Sequence, residues 1–76
     1  MTRKVLGKYI VADSDICDGK PIFIGTRIMV SDVLRMLAKG KDWDTVSDEW
    51  DGKVSKEAIA EATNLAARIF GPGVFN

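Results

Sequence analysis

Asp13, Asp15, Asp18 and Gly19 have the composition of a cation-binding loop. An EF-hand needs oxygen ligands at loop positions one, three and five, glycine at six and a bidentate glutamate at twelve. Counted from Asp13, position five is Cys17, position six is Asp18 and position twelve is Ile24. The register fails, so no metal is expected, and an aspartate-rich turn is the better account. Lys20 between Gly19 and Gly25 suggests a phosphate cradle, but that motif needs Gly-Lys-Ser/Thr opening a helix. Here Lys20 runs into Pro21 and an apolar run. Asp42, Asp44, Asp48, Glu49 and Asp51 are dense enough to raise a metal-dependent nuclease site. They lie along one short helical stretch with apolar residues opposite, which reads as a solvated acidic face. Cys17 is alone and histidine is absent, removing an internal disulfide and the commonest general base. No nucleophile–base pair, metal cluster or cofactor loop survives these checks. The chain is expected to be a binding protein with no cofactor and no enzymatic turnover.

The remaining chemistry is cationic. Arg3, Lys4, Lys8, Arg27, Arg35 and Lys41 make a phosphate-binding set if folding brings them together. A second set, Lys53, Ser55, Lys56 and Asn64, together with Ala60 and Thr63, belongs to the last helical stretch. Asn64 there can pair with adenine in a major groove. Glu57 and Glu61 share that surface and would repel phosphates. A helix that mainly builds a core or a dimer interface is an equal reading. Trp43 and Trp50, seven residues apart and in phase with Val46, read as core or interface aromatics. Either is also a candidate partner contact, as is Phe75 in the tail.

These residues need elements to hold them. Ile22-Phe23-Ile24, the break at Gly25-Thr26, and Ile28-Met29-Val30 form a hairpin signal. Pro21 fits a strand's first position. Arg27 sits between the two apolar runs, where its stem can pack and its guanidinium can reach outward. Residues 1–8 read as a loosely held basic start, and Tyr9-Ile10-Val11-Ala12 as a strand. The first helix is expected over about 31–39, with Ser31 as N-cap, Val30, Val33, Leu34 and Leu37 on one face, and Gly40 as the stop. The second, about 43–50, starts from Asp42 and ends at Asp51-Gly52. The third, about 56–70, starts from Ser55, with Val54 and Ile59 as a hydrophobic staple. Its apolar face comprises Ala58, Ile59, Ala62, Leu65, Ala66, Ile69 and Phe70. Gly71-Pro72-Gly73 then ends it.

Gly19-Lys20-Pro21, followed by Gly25-Thr26-Arg27-Ile28 and Val30, resembles the signature of domain-of-unknown-function family 433. Leu34, Leu37-Ala38, Gly40, Val54-Ser55 and Ala66-Ala67 continue the pattern, and the resemblance spans about residues 9–70. It implies a small prokaryotic VapB-like antitoxin with a homeodomain-like fold behind the hairpin. It further implies direct neutralisation of a PIN-like ribonuclease toxin, and repression of its own operon by DNA binding. PIN-like sites are carboxylate-rich, which makes Arg27 a candidate toxin contact, since a guanidinium pairs bidentately with carboxylates. The other reading of Arg27 is a brace for the hairpin turn.

Seventy-six residues suggest one domain over 1–76: a hairpin region at about 9–30, a three-helix module at about 31–70 and a tail at 71–76. The fold class expected is mainly α, a three-helix homeodomain-like helix-turn-helix bundle preceded by a short N-terminal β-hairpin. Eleven cations balance eleven acids, but the first half is basic and the second acidic. A core of this size is marginal, which favours a homodimer, with the hairpin edge as the expected contact. The absence of a membrane-length apolar run or a leader-like segment suggests the cytoplasm. Two alternatives remain open: a DNA-binding regulator without a toxin, and an interaction module whose acidic helices dock a basic partner.

Overall fold

The computed structural model describes residues 2–70 of the chain. Three short strands form an antiparallel sheet in the order β1 (Arg3–Val5), β2 (Ile10–Asp13), β3 (Ile22–Phe23). Three helices follow: α1 (Val30–Ala38), α2 (Trp43–Glu49) and α3 (Lys56–Ile69). The expected hairpin is thus a three-stranded sheet, and the supposedly loose start is its first strand.

β1 is held along its length and at both ends. Arg3, Lys4 and Val5 pair with Asp13, Ala12 and Val11. Beyond the ladder, Ser14 N–H donates to the Thr2 carbonyl and Thr2 N–H donates to Ser14 Oγ, both at 2.8 Å. At the turn, Leu6 and Gly7 N–H both donate to the Ile10 carbonyl. These backbone bonds order a segment whose side chains are exposed. The sheet's two faces follow the period of two. Ile10 and Phe23 pair and face the helices, while Val11 and Ile22 pair on the opposite face. All four are buried.

The second half of the expected hairpin differs. Met29 makes only an isolated bridge to Ile22, and Val30 already starts α1. Met29, not Ser31, is the N-cap residue, and it contributes no side-chain cap bond. Its extended backbone serves both the bridge and the helix entry, so Ser31 falls within the first turn. The other two caps are as expected. Asp42 Oδ1 accepts from Thr45 N–H at 2.7 Å, and Ser55 Oγ from Ala58 N–H at 3.1 Å. Hydrogen bonding to the Thr45 side chain, and then to its backbone N–H, holds the Asp42 carboxyl below the usual carboxylate range. This support for α2 is therefore complete at neutral pH and fades only as acid titrates the lowered group.

The core joins Ile10, Phe23 and Ile28 to Val30, Val33, Val46, Val54, Ala58, Ile59 and Ala62. Val54 and Ile59, the predicted staple, are both fully buried. Trp50 is half-buried, and its indole N–H points at Met36 Sδ at 3.2 Å, joining α2 to α1. Trp43 lies 41% exposed, so it does not share the core with Val46 as its spacing suggested. Ile69 and Phe70, expected on the apolar face of α3, are each 77% exposed. The tail at 71–76, with Phe75, lies outside the described residues.

Sheet and helices are joined by one carboxylate. Glu61 Oε2 accepts from Lys8 N–H at 2.9 Å and Oε1 from Tyr9 N–H at 2.8 Å. Gly7 lies directly against this carboxylate, where a Cβ would overlap Oε1. The side chain cannot swing aside without releasing its two donors. Gly7→Ala is therefore expected to cost about 1–3 kcal/mol, and Glu61→Ala about 1–2 kcal/mol. The double variant should lose clearly less than the sum, because both changes break one clamp. Urea unfolding of the four proteins checks this, and full additivity would count against it.

Candidate functional site

The loop between β3 and α1 is built by its own residues. Thr26 N–H donates to the Phe23 carbonyl at 3.1 Å, closing a four-residue turn. Gly25, third in that turn, has φ +79°. Turns that need a positive φ there select glycine. A Cβ at Gly25 would meet nothing within 4 Å, so conformation alone decides the residue type. The Thr26 hydroxyl donates to the Phe23 carbonyl at 2.7 Å and accepts from Ile28 N–H at 3.0 Å. Phe23 N–H in turn donates to the Ile28 carbonyl at 3.1 Å. The Cys17 thiol lies 3.7 Å from the Arg27 carbonyl oxygen. Every neighbour of Arg27 is thus tied down, while Arg27 itself is exposed and makes no ion pair among the described residues.

Beside this loop lies a broad open groove of about 1200 Å³. Arg3 from β1, Arg27 from the loop and Lys53 from the α2–α3 connection line it together. Val11, Ile22, Ile28 and Trp50 supply apolar surface. Asp13, Asp32, Glu49 and Asp51 also line it, so the three cations do not form an uninterrupted positive track. Flanking it, Cys17 and Asp18 take φ +52° and +57°. Left-handed backbone at non-glycine residues costs about 1–3 kcal/mol each. The turn over Cys17–Gly19 packs on β2, and that contact holds the conformation in place.

The other predicted cations are scattered or engaged. Lys4 is exposed on β1 opposite Ala12. Lys8 sits in the β1–β2 turn, its ammonium 5.4 Å from the Tyr9 ring centroid. Arg35 pairs with Asp32 at 3.2 Å, Lys41 with Glu49 at 2.6 Å and Lys56 with Asp44 at 3.1 Å. The Asp44 partner, by hydrogen bond and then by charge, raises the Lys56 pKa. Exposed pairs of this kind contribute little stability, but each occupies a cation that a polyanion would need. Ser55 spends its hydroxyl on the α3 cap. Asn64 lies in a separate hollow of about 320 Å³ beside Glu57, Glu61 and Arg68. Of the second set only Lys53 reaches the groove that holds Arg3 and Arg27, so the two predicted sets do not form one surface. Among the described residues, no three acids or thiols are grouped to hold a metal.

Two site features were not read from the sequence. One is the double role of Thr26, for which a hydroxyl just after a turn glycine was the available signal. The other is the meeting of Arg3 with Lys53, fifty positions apart in the chain. No local pattern signals that meeting, since it depends on how the strands pair.

Residues 10–66 match the family described as Protein of unknown function (DUF433), and the chain belongs to that family. No curated protein and no solved structure matches it.

Thr26→Val removes both side-chain bonds of the loop while keeping its shape. It is expected to lower stability by about 1–2 kcal/mol, whereas Thr26→Ser stays near wild type. Chemical denaturation of the two variants checks this.

Proposed function

We propose that this member of the DUF433 family is an antitoxin-like regulatory protein that works by binding, without turnover. In this reading the β3–α1 loop presents Arg27 to the carboxylate-rich site of a PIN-like ribonuclease, and the guanidinium engages it bidentately. The observation that carries the reading is the contrast within Gly25-Thr26-Arg27. The glycine conformation and the threonine bonds serve the loop, while the arginine side chain is spent on no ion pair among the described residues. A brace for the turn would show guanidinium contacts to the loop, and the loop's bonds come instead from Thr26, the backbone and the Cys17 thiol. A rigid loop also lowers the ordering cost of binding. The three helices are proposed to adopt a homeodomain-like helix-turn-helix arrangement, with the sheet as the toxin-facing platform.

Binding to operator DNA is the second reading. The convergence of Arg3, Arg27 and Lys53 on one groove favours it. The acids in that groove, and the pairing of Arg35, Lys41 and Lys56, weigh against a long phosphate track.

Arg27→Ala is expected to weaken the complex with a cognate PIN-like ribonuclease by about tenfold or more, equivalent to about 1.4 kcal/mol or more. Thermal stability should not move, and Arg27→Lys should recover part of the loss. Calorimetry and growth rescue on co-expression read this. Full protection by Arg27→Ala at unchanged affinity would remove the residue from the proposal. For DNA, three phosphate contacts give a log affinity–log salt slope of about −3. Mobility shifts on promoter DNA at rising salt check that figure, and a much steeper slope would require cations beyond these three.

A further inference from the structure

A second surface is the free backbone edge of the sheet. β1 has one neighbouring strand, β2, and its residues are exposed. Which of its backbone groups point away from β2 follows from the register. Ser14 N–H donates to the Thr2 carbonyl and Leu6 N–H to the Ile10 carbonyl, and both pairs continue the β1–β2 register. Hydrogen-bonded pairs alternate with non-bonded ones along an antiparallel ladder. Lys4 is therefore the residue of β1 that bonds to Ala12, while Arg3 and Val5 turn their N–H and C=O groups outward. Among the described residues, no bond from outside the sheet reaches these four groups.

We infer that this edge receives an extended acidic segment of a partner protein, which joins the sheet antiparallel as a fourth strand. The backbone selects the class of ligand. Two donors stand beside two acceptors, and a peptide answers both, whereas a phosphate backbone has no N–H for the two carbonyls. Antiparallel pairing lets Arg3 and Val5 each exchange both bonds with a single residue. The side chains select the charge. Arg3 and Lys4 are exposed and make no ion pair among the described residues. Asp13, opposite Arg3 on β2, instead accepts Asp15 N–H on Oδ1 at 2.9 Å. Val5, 67% exposed, adds an apolar position. A segment Val-Glu-Glu running antiparallel sets its valine opposite Val5 and one carboxylate opposite each of Lys4 and Arg3.

A second copy of the chain does not suit this edge, although the sequence suggested it for self-association. Pairing β1 with itself sets Lys4 against Lys4 when centred on Lys4, and Arg3 against Arg3 when centred on Arg3. Centred on Val5, it opposes Arg3 to Gly7, whose N–H is already held by the Ile10 carbonyl. Cationic edge strands discourage contacts between copies in this way. The same cations attract an acidic strand, so the edge is selective and not closed.

The test is an NMR titration of the labelled full chain with the capped peptide Thr-Val-Glu-Glu-Thr. Shift changes should centre on the Arg3 and Val5 amides, and hydrogen exchange at those two positions should slow severalfold on binding. N-methylating the valine and the second glutamate removes the donors that face β1, and should weaken binding by about tenfold or more. N-methylating the first glutamate, whose N–H points away from β1, should leave affinity near that of the parent peptide. Exchanging both glutamates for lysine should abolish binding. Val5→Pro deletes an outward donor without breaking a bond to β2, so peptide binding should fall while circular dichroism is kept. If that variant does not fold, the N-methyl series decides alone. No shift with peptide at millimolar excess overturns the inference. So does binding that the N-methyl groups leave unchanged, since charge alone then carries it. Arg3 and Val5 amides already protected in the free chain would show the edge filled by residues 71–76 or by a second copy, and that overturns it too. The result is separable from the toxin reading. About 14 Å, three strand spacings, lies between the added strand and β3, so Arg27→Ala should bind the peptide as wild type does.

Discussion

The Glu61 carboxylate, gripping two successive backbone N–H groups fifty-odd positions away in the chain, is the constraint on which the architecture rests. Three strands of two to four residues form too small a sheet to stand alone in water. Apolar burial brings Ile10 and Phe23 against the helices, but burial has no direction and does not set the angle of the turn. The carboxylate does. By fixing the N–H groups of Lys8 and Tyr9, it fixes where β2 starts, and β2 carries both neighbouring strands. The groove beside Arg27 is therefore placed by an interaction on the far side of the sheet. Gly7 is part of the same device, since only a residue without a side chain lets the turn come down onto the acid.

Within that frame, the loop divides its work among adjacent residues. Gly25 accepts a conformation, Thr26 ties the backbone together, and Arg27 is left facing solvent. A side chain with five donors on a fixed base loses little freedom when it meets a planar acid. A uniformly anionic surface approaching the adjoining groove would meet Asp13, Asp32, Glu49 and Asp51 as well as the cations.

Much of the helical half was legible because its signals are local. Asp42 and Ser55 announce their helices through side chains that bond three residues on, and Asp51-Gly52 ends α2 with consecutive positive φ angles. What escaped was non-local. Residues 3–5 carry no apolar alternation, and their strand exists because the backbone of β2 pairs with it and Ser14 fastens its end. Met29 was hidden because one extended residue serves as both bridge and helix entry. Glu61 on a helix reads as a solvated charge until its partners are known. The apolar spacing of α3 runs on through Ile69 and Phe70, although both side chains stand mostly in water. The same limit governed the site. The sequence named Arg3, Arg27 and Lys53 as separate cations, and only the strand pairing shows that they share a groove with four acids.

The two tryptophans report on different events. Trp50 holds its indole N–H on the Met36 sulfur across the α1–α2 seam, whereas Trp43, seven residues earlier, is 41% exposed and makes no such contact. Sulfur contact and partial desolvation alter the emission of an indole. Parting of the two helices thus changes the colour and yield of the Trp50 fluorophore. The molecule carries an optical gauge of its own seam, legible without any label.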